Sequence, residues 1–472
     1  MKENHGGQGS KKRRYLYLVL PVIGVLFGLW YVKAATYDIV YTDYIRLVNE
    51  YLPDVWNPDK FFVPDVLTRV PLNYLGRIIN TTFFDYSTSF DMALGVLGLG
   101  IGGAAFAVYS SRVNLRWYWF VPVMVLWFGL NKWEMLTNGT GWVHFWAIGG
   151  FCCHYVILDR IWYGTGMKWD RKLLMILPFV LTLGVAGPYC AIYTVVMVLA
   201  YGFCMVCQWM RTKEMDRRYL RYMICVLLPF ALYLWSNAFA VEEHTGMQEL
   251  PLFGTLFQNP GYFVHFFLKS LAGDVVGGEL LETWIRNGQI SGSMVYVTGI
   301  VVFAAALWAV WVNFRYHICQ KTLLPLLCLV TGGLNHLLIV YSRWSFMNEN
   351  YGMSSRYALQ FQFLTIGILL TAALSWDQIA KKVTGFVLAA SCLALIAGSC
   401  VTTWHEAVVM APHREAYGEN IASVALRFQE ATDDELRETF DFRKSREDSG
   451  AKVRQALEIL YEQRWNVFRQ VP

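Results

Sequence analysis

The feature that most constrains this chain is a succession of long apolar runs, separated mostly by short basic connections. A helix needs about 20 largely apolar residues to cross the ~30 Å hydrocarbon layer of a bilayer. Inside that layer every backbone polar group must be satisfied internally. Windows of this length fall near residues 15–34, 92–110, 117–131, 142–158, 173–187, 189–209, 222–240, 293–313, 323–341, 357–375 and 384–401. The expected fold is therefore an all-α polytopic membrane protein of about 11 transmembrane helices. The fifth and sixth windows are joined only by Gly187-Pro188-Tyr189 and read as a helical hairpin, so a fused or re-entrant pair there would change the count. Composition agrees: 56% of residues are hydrophobic and 16% charged, against about 25% charged in a soluble domain.

Charge placement sets the expected orientation. With the amino terminus inside, twenty Lys/Arg fall on the cytoplasmic side, from the leader Lys2, Lys11, Lys12, Arg13 and Arg14 through to Lys381 and Lys382. The short outer connections carry only Lys132, Arg343 and Arg356, as the positive-inside rule requires. The net charge of +5 thus reflects topology, and no nucleic-acid partner is expected. The run from Tyr15 to Val32 is longer than a signal-peptide core and reads as an uncleaved anchor. The ten cysteines lie in or beside apolar segments without zinc-like spacing, including the Cys204/Cys207 pair, and read as small hydrophobes.

The domain organisation expected is a basic leader (1–14), a membrane domain (15–411) with long outer loops at 35–91 and 242–292, and a charged helical tail (412–472) on the outer side. In the first loop, breaks are expected at Pro53, Pro58 and Pro64. Asp43, Arg46 and Glu50 share one helical face and Ile45, Val48 and Leu52 another, which predicts an interfacial helix with its apolar side in lipid. In the second loop, 261–271 and 275–285 are too short to span. The tail carries 10 Lys/Arg and 12 Asp/Glu in 61 residues, with a helix start at Thr432-Asp433-Asp434-Glu435. Asn80-Thr81-Thr82 and Asn138-Gly139-Thr140 are glycosylation sequons on the outer side. They carry no meaning in a bacterial plasma membrane, the source that the short loops favour.

An acid at the outer surface, Asp43, joins Arg343 and Arg356, two of the few outer cations. Guanidinium forks suit phosphate oxygens, whereas the alternative is that each Arg anchors its helix. Glu134 is a second carboxylate and Glu349 a third. His144 and His336 lie toward the outer ends of their helices, where they either touch substrate or bond a neighbouring helix. Trp133, Trp142 and Trp344 sit where interface belts and sugar-stacking rings both occur.

With one span leading into a long outer loop, Thr42-Asp43-Tyr44 soon after it, and a late outer Ser355-Arg356-Tyr357 opening the next span, the chain resembles the GT-C class of integral-membrane glycosyltransferases. The similarity covers the order of elements over most of residues 15–401. It implies a polyprenyl-phosphate-linked sugar donor, a cell-envelope glycan or glycoconjugate acceptor, Asp43 as catalytic base and phosphate binding by Arg356 and Arg343. Members with paired acids at that point would hold a metal there. Here Thr42 precedes Asp43, so a two-acid site is not expected, although a divalent cation is compatible with a phosphate donor. The chemistry agrees without the family: displacement of phosphate from an anomeric carbon passes through an oxocarbenium-like state, needs cations for the leaving group and one carboxylate for the acceptor proton, with inversion. The competing expectations are a lipid-linked polysaccharide polymerase or ligase, and a transporter or flippase. No charge well inside a span and no inverted repeat supports the latter.

Overall fold

A computed structural model describes residues 7–62, 70–238 and 251–470. Among these residues the regular structure is helical, with no strand. The first part of the chain contains α1 (Gly7–Ala35), α2 (Asp43–Tyr51), α3 (Pro71–Phe84), α4 (Thr88–Arg112), α5 (Trp117–Phe128), α6 (Trp133–Thr137) and α7 (Trp142–Trp162). Next come α8 (Asp170–Phe179), which continues as a π-helical stretch Val180–Ala186, then α9 (Cys190–Thr212) and α10 (Arg217–Asn237). After residue 250 follow α11 (Leu252–Gln258), α12 (Pro260–Ala272), α13 (Gly278–Arg286), α14 (Gly292–Arg315), α15 (Ile318–Lys321), α16 (Leu324–Arg343) and α17 (Ser355–Ile379). Last are α18 (Val383–Trp404), α19 (Ala411–Leu426), α20 (Asp433–Thr439) and α21 (Ser449–Glu462).

Nine of the described helices, α1, α4, α7, α9, α10, α14, α16, α17 and α18, are long and apolar enough to cross a membrane. The two other expected spans are shorter. α5 has 12 residues, with Pro122 inside it and extended backbone at Gly129. α8 has 10 residues, opens on Asp170 and is followed by seven π-helical residues. Both begin beside basic connections and lead toward residues packed near Tyr44 and His144. α5 leaves from Arg116, which pairs with Asp377 at 3.0 Å among the basic loops. Its chain emerges at Gly139, where a Cβ would collide with the Tyr44 hydroxyl. α8 leaves from Asp170, bound by Arg160 Nε at 2.7 Å, and ends near Tyr189, whose ring stacks on His144 at 3.8 Å.

The basic loops are knitted together at one end. Arg112 pairs with Asp159, Trp162 Nε1 donates to the Cys319 carbonyl at 2.9 Å, and the Lys382 amine lies 5.0 Å over the Tyr316 ring. Asp159 also accepts from the Thr322 hydroxyl at 2.7 Å and the Leu324 amide at 3.1 Å, capping the start of α16. α17 is the central post, 83% of its apolar window being buried, whereas α10 is peripheral at 22%. α4 and α7 cross closely because Gly98 meets α7 backbone: a Cβ there would lie 2.7 Å from the Trp146 nitrogen. Small residues permit this approach in apolar surroundings, where helix association rests on packing. Polar groups in the bundle find partners across helices: His154 bonds the Tyr193 hydroxyl at 2.5 Å and the Tyr201 hydroxyl at 3.2 Å, and Asn313 donates to Thr371 at 2.7 Å.

At the opposite end the tail and the first loop form one packed unit. Ile39, Val40, Tyr44, Ile45, Val48 and Leu52 are buried against Ile421, Phe440, Val453, Leu457, Leu460 and Phe468. The apolar face of α2 is therefore covered by protein, which corrects the expectation that it lies in lipid; three tail helices supply enough apolar surface to bury it. Pro64 lies outside the described residues. The expected helices of the second loop appear as α12 and α13, and Thr432 caps α20 by accepting from the Glu435 amide at 3.2 Å. The tail is continuous with α18 through the π-helical residues His405–Met410. The Asn80 sequon is closed to modification: its side chain is buried, donating to Ser87 O at 2.9 Å and Asp91 Oδ1 at 3.0 Å.

Candidate functional site

Asp43 opens α2, and its position is fixed by what precedes it. Thr42 adopts φ 50°, a conformation that costs energy for a β-branched residue. Its amide donates to Phe440 O of the tail at 2.9 Å, and the Val40 amide donates to Asn466 Oδ1 at 3.2 Å. With Tyr44, Ile45 and Val48 locked into the tail, the Asp43 carboxylate is exposed on the other face. It lies within electrostatic reach of both Arg356 and Tyr189.

Arg356 stands in the first turn of α17, whose start is capped by the Ser354 hydroxyl. Glu134, on α6, takes its Nε and accepts from the Ser355 hydroxyl at 3.2 Å. The Ser355 amide donates to Glu279 Oε1 on α13, also at 3.2 Å. Arg343 closes α16 and donates through Nε to the Tyr357 hydroxyl at 2.9 Å, and its charge is also felt at Tyr189. One turn below Arg356, the Gln360 amide meets His144 Nε2 at 3.0 Å, with His144 buried beneath the Tyr189 ring. Asp43, Glu134, Arg343, Arg356 and His144, scattered over the chain, thus gather at the end of the bundle opposite the basic loops. Chemically this is an exposed carboxylate within electrostatic reach of the Arg356 guanidinium, which Glu134 engages through Nε, with the Arg343 charge acting on the same Tyr189 ring as Asp43.

His336 is placed elsewhere. It is fully buried, bonded to Ser270 Oγ at 2.9 Å and Asp274 Oδ2 at 3.1 Å, and stacked on Phe361 at 3.9 Å. Its ring ties α12 to α16 and has no face left for a substrate. Burial pushes the Asp274 carboxyl up, against the pull of the His336 ring. Glu349 is likewise structural: it holds Lys269 Nζ at 2.7 Å and the Tyr296 hydroxyl at 2.9 Å. Burial opposes its ionisation, yet these two donors and the nearby His265 hold its carboxyl below the usual range. Of the outer tryptophans, Trp142 and Trp344 are buried, and the Trp133 face is covered by the Arg414 guanidinium at 3.1 Å. Lys132, expected as an outer-loop cation, is buried and donates to Gly129 O at 2.7 Å and Gln362 Oε1 at 2.9 Å.

No three His, Cys, Asp or Glu among the described residues group as a metal site. An apolar groove of about 270 Å³ opens between α14, α17 and α18, walled by Val275, Val297, Val301, Ile368 and Leu395. Tyr189 and Gln360 were not singled out from the sequence, although a Gln four residues after Arg356 in an apolar run marks the same helical face. Comparison with family models, curated proteins and solved structures finds no match.

Proposed function

We propose that the protein is a membrane glycosyltransferase of the GT-C type that takes a sugar from a polyprenyl-phosphate-linked donor at the outer leaflet of a bacterial plasma membrane. The observation that carries this is the convergence of Asp43 with Arg356 and Arg343 at one end of the bundle. The Lys/Arg excess of the connections at the other end supports a cytoplasmic position for it. Counting α5 and α8 as short crossings gives eleven, with the first loop and the tail outside.

Arg356 and Arg343 bind the donor phosphate and gain strength as charge builds on it in the transition state. Asp43 takes the proton from the acceptor hydroxyl, whose oxygen bonds to the anomeric carbon as the bond to phosphate breaks, inverting that centre. Glu134 positions the Arg356 fork. Walls of Val, Ile and Leu make the α14–α17–α18 groove suited to a hydrocarbon chain.

The test is sugar transfer from a polyprenyl-phosphate-sugar to membrane glycan by the purified chain. Asp43→Asn is expected to lower kcat about 10²–10⁴-fold and Arg356→Ala about 10²–10³-fold, with melting temperatures unchanged. Normal transfer in both variants refutes the proposal.

A further inference from the structure

Next to Ser355, at the start of α17, lies a second, open cavity of about 210 Å³. Its walls are Gly278, Glu279 and Glu282 of α13 and Asn348, Asn350, Tyr351 and Ser354 of the turn before α17, with Met353 below. It is joined to the transferase cluster by an unbroken contact path: Arg356 to Glu134, Glu134 to the Ser355 hydroxyl, and the Ser355 amide to Glu279. No cation lines it, because the nearby Lys269 amine is taken by Glu349 and by Asn350 Oδ1 at 2.5 Å.

The polar groups on its walls are complementary in kind. Asn350 Oδ1 is held by Lys269 and Asn348 Oδ1 accepts from the Asn350 amide at 3.0 Å, so both carboxamides have their NH₂ ends left to donate. Glu279 has one oxygen on the Ser355 amide, and its second, with both of Glu282, can accept. A sugar hydroxyl both donates and accepts, so a vicinal diol fits this mixture of carboxylates and amide donors, and the Tyr351 ring, tilted against Phe346 at 4.9 Å, adds an aromatic wall of the kind pyranoses pack on. The two carboxylates with no lining cation favour a positive ligand and repel a negative one. Burial and the neighbouring Glu279 charge raise the Glu282 carboxyl, against the pull of Lys269 and Arg286 behind the wall.

We propose that this cavity is a subsite for a sugar unit of the acceptor, neutral or amine-bearing, and that it excludes acidic sugars. As an acceptor subsite it rests on the transferase reading, whereas its sugar selectivity does not. Saturation-transfer NMR on the purified full chain in detergent micelles at pH 7 tests it with three probes: glucosamine, N-acetylglucosamine and glucuronate. Expected are signals from the first two and an affinity for glucuronate about tenfold lower. Glu282→Gln narrows that gap, and Tyr351→Ala abolishes binding. Equal binding of glucuronate, no binding of either other sugar, or unaltered binding in folded Glu282→Gln and Tyr351→Ala overturns the inference. Sugar binding without any transfer would instead overturn the catalytic proposal alone, and transfer without sugar binding would overturn this inference alone.

Discussion

Asp38 offers a quantitative test of how the outer unit is held. Its carboxylate accepts from the Ser87 hydroxyl at 2.8 Å, the Thr88 amide at 2.7 Å and the Thr88 hydroxyl at 2.8 Å, at the start of α4. From the tail it receives Asn466 Nδ2 at 3.4 Å and Arg469 at 3.2 Å. It therefore joins the first loop, the membrane bundle and the tail. An end-capping acceptor is worth about 0.5–2 kcal/mol and each hydrogen bond to a charged group about 1.5–3 kcal/mol. The bonds share one carboxylate and do not add. The two long tail contacts contribute little, and water replaces part of the rest. Asp38→Ala should therefore weaken the seating of the first loop on the start of α4 by about 2–4 kcal/mol, and Asp38→Asn, which keeps one acceptor oxygen, by roughly half as much. At 1.4 kcal/mol per decade, amides of α2 that exchange through release of this loop should exchange about 30- to 700-fold faster in Asp38→Ala. Hydrogen exchange read by mass spectrometry over residues 43–51 measures this directly. Exchange within about threefold of the parent protein would refute Asp38 as the tie, leaving the apolar contacts to do the holding.

Other outcomes follow from particular contacts. Gly98→Leu forces side-chain atoms into the α7 backbone and should cost about 1–3 kcal/mol, visible as a lower melting temperature in detergent, while Gly184→Ala, with open space around it, should not. Glu349 is held ionised in the folded state, so its contribution to stability is full above its ordinary value of 4.5 and drains as pH falls below that. Relative to the intrinsic exchange rate at each pH, protection over 260–272 should therefore fall below pH 4.5 in the parent and stay constant there in Glu349→Gln. His336→Ala should lower stability through the lost Ser270 and Asp274 bonds, while leaving the pH profile of sugar transfer by the folded fraction unchanged; an altered profile would return His336 to the site.

Much of the architecture was legible in the sequence because bilayer physics writes itself into composition. The apolar windows located α1, α4, α7, α9, α10, α14, α16, α17 and α18 closely, and the Lys/Arg asymmetry marked the loops that the structure draws together at one end. Lengths of α5 and α8 were less legible, since hydropathy counts Pro122, Pro178 and Gly187 as ordinary members of a window although backbone geometry shortens the helix there. The α2 face was misassigned because Ile45, Val48 and Leu52 look the same whether lipid or Val453 and Leu457 covers them, and only the tertiary fold brings residues four hundred positions away. For the same reason the carboxylate and guanidinium groups of the candidate site could be nominated by type, but not their partners: nothing in the spacing of Glu134 and Arg356 announces an ion pair. His336 shows the converse, a residue of the right type and depth whose valences are spent on Ser270 and Asp274.

The clasp between the first loop and the tail also imposes an order on biogenesis. Asp43 is made early in synthesis, but the carbonyl that restrains Thr42 belongs to Phe440, and Asn466, which holds Val40, is 426 residues later in the chain. Until those last helices have been made and folded back, the carboxylate has no fixed address, so a partly made chain lacks the restraint that places it.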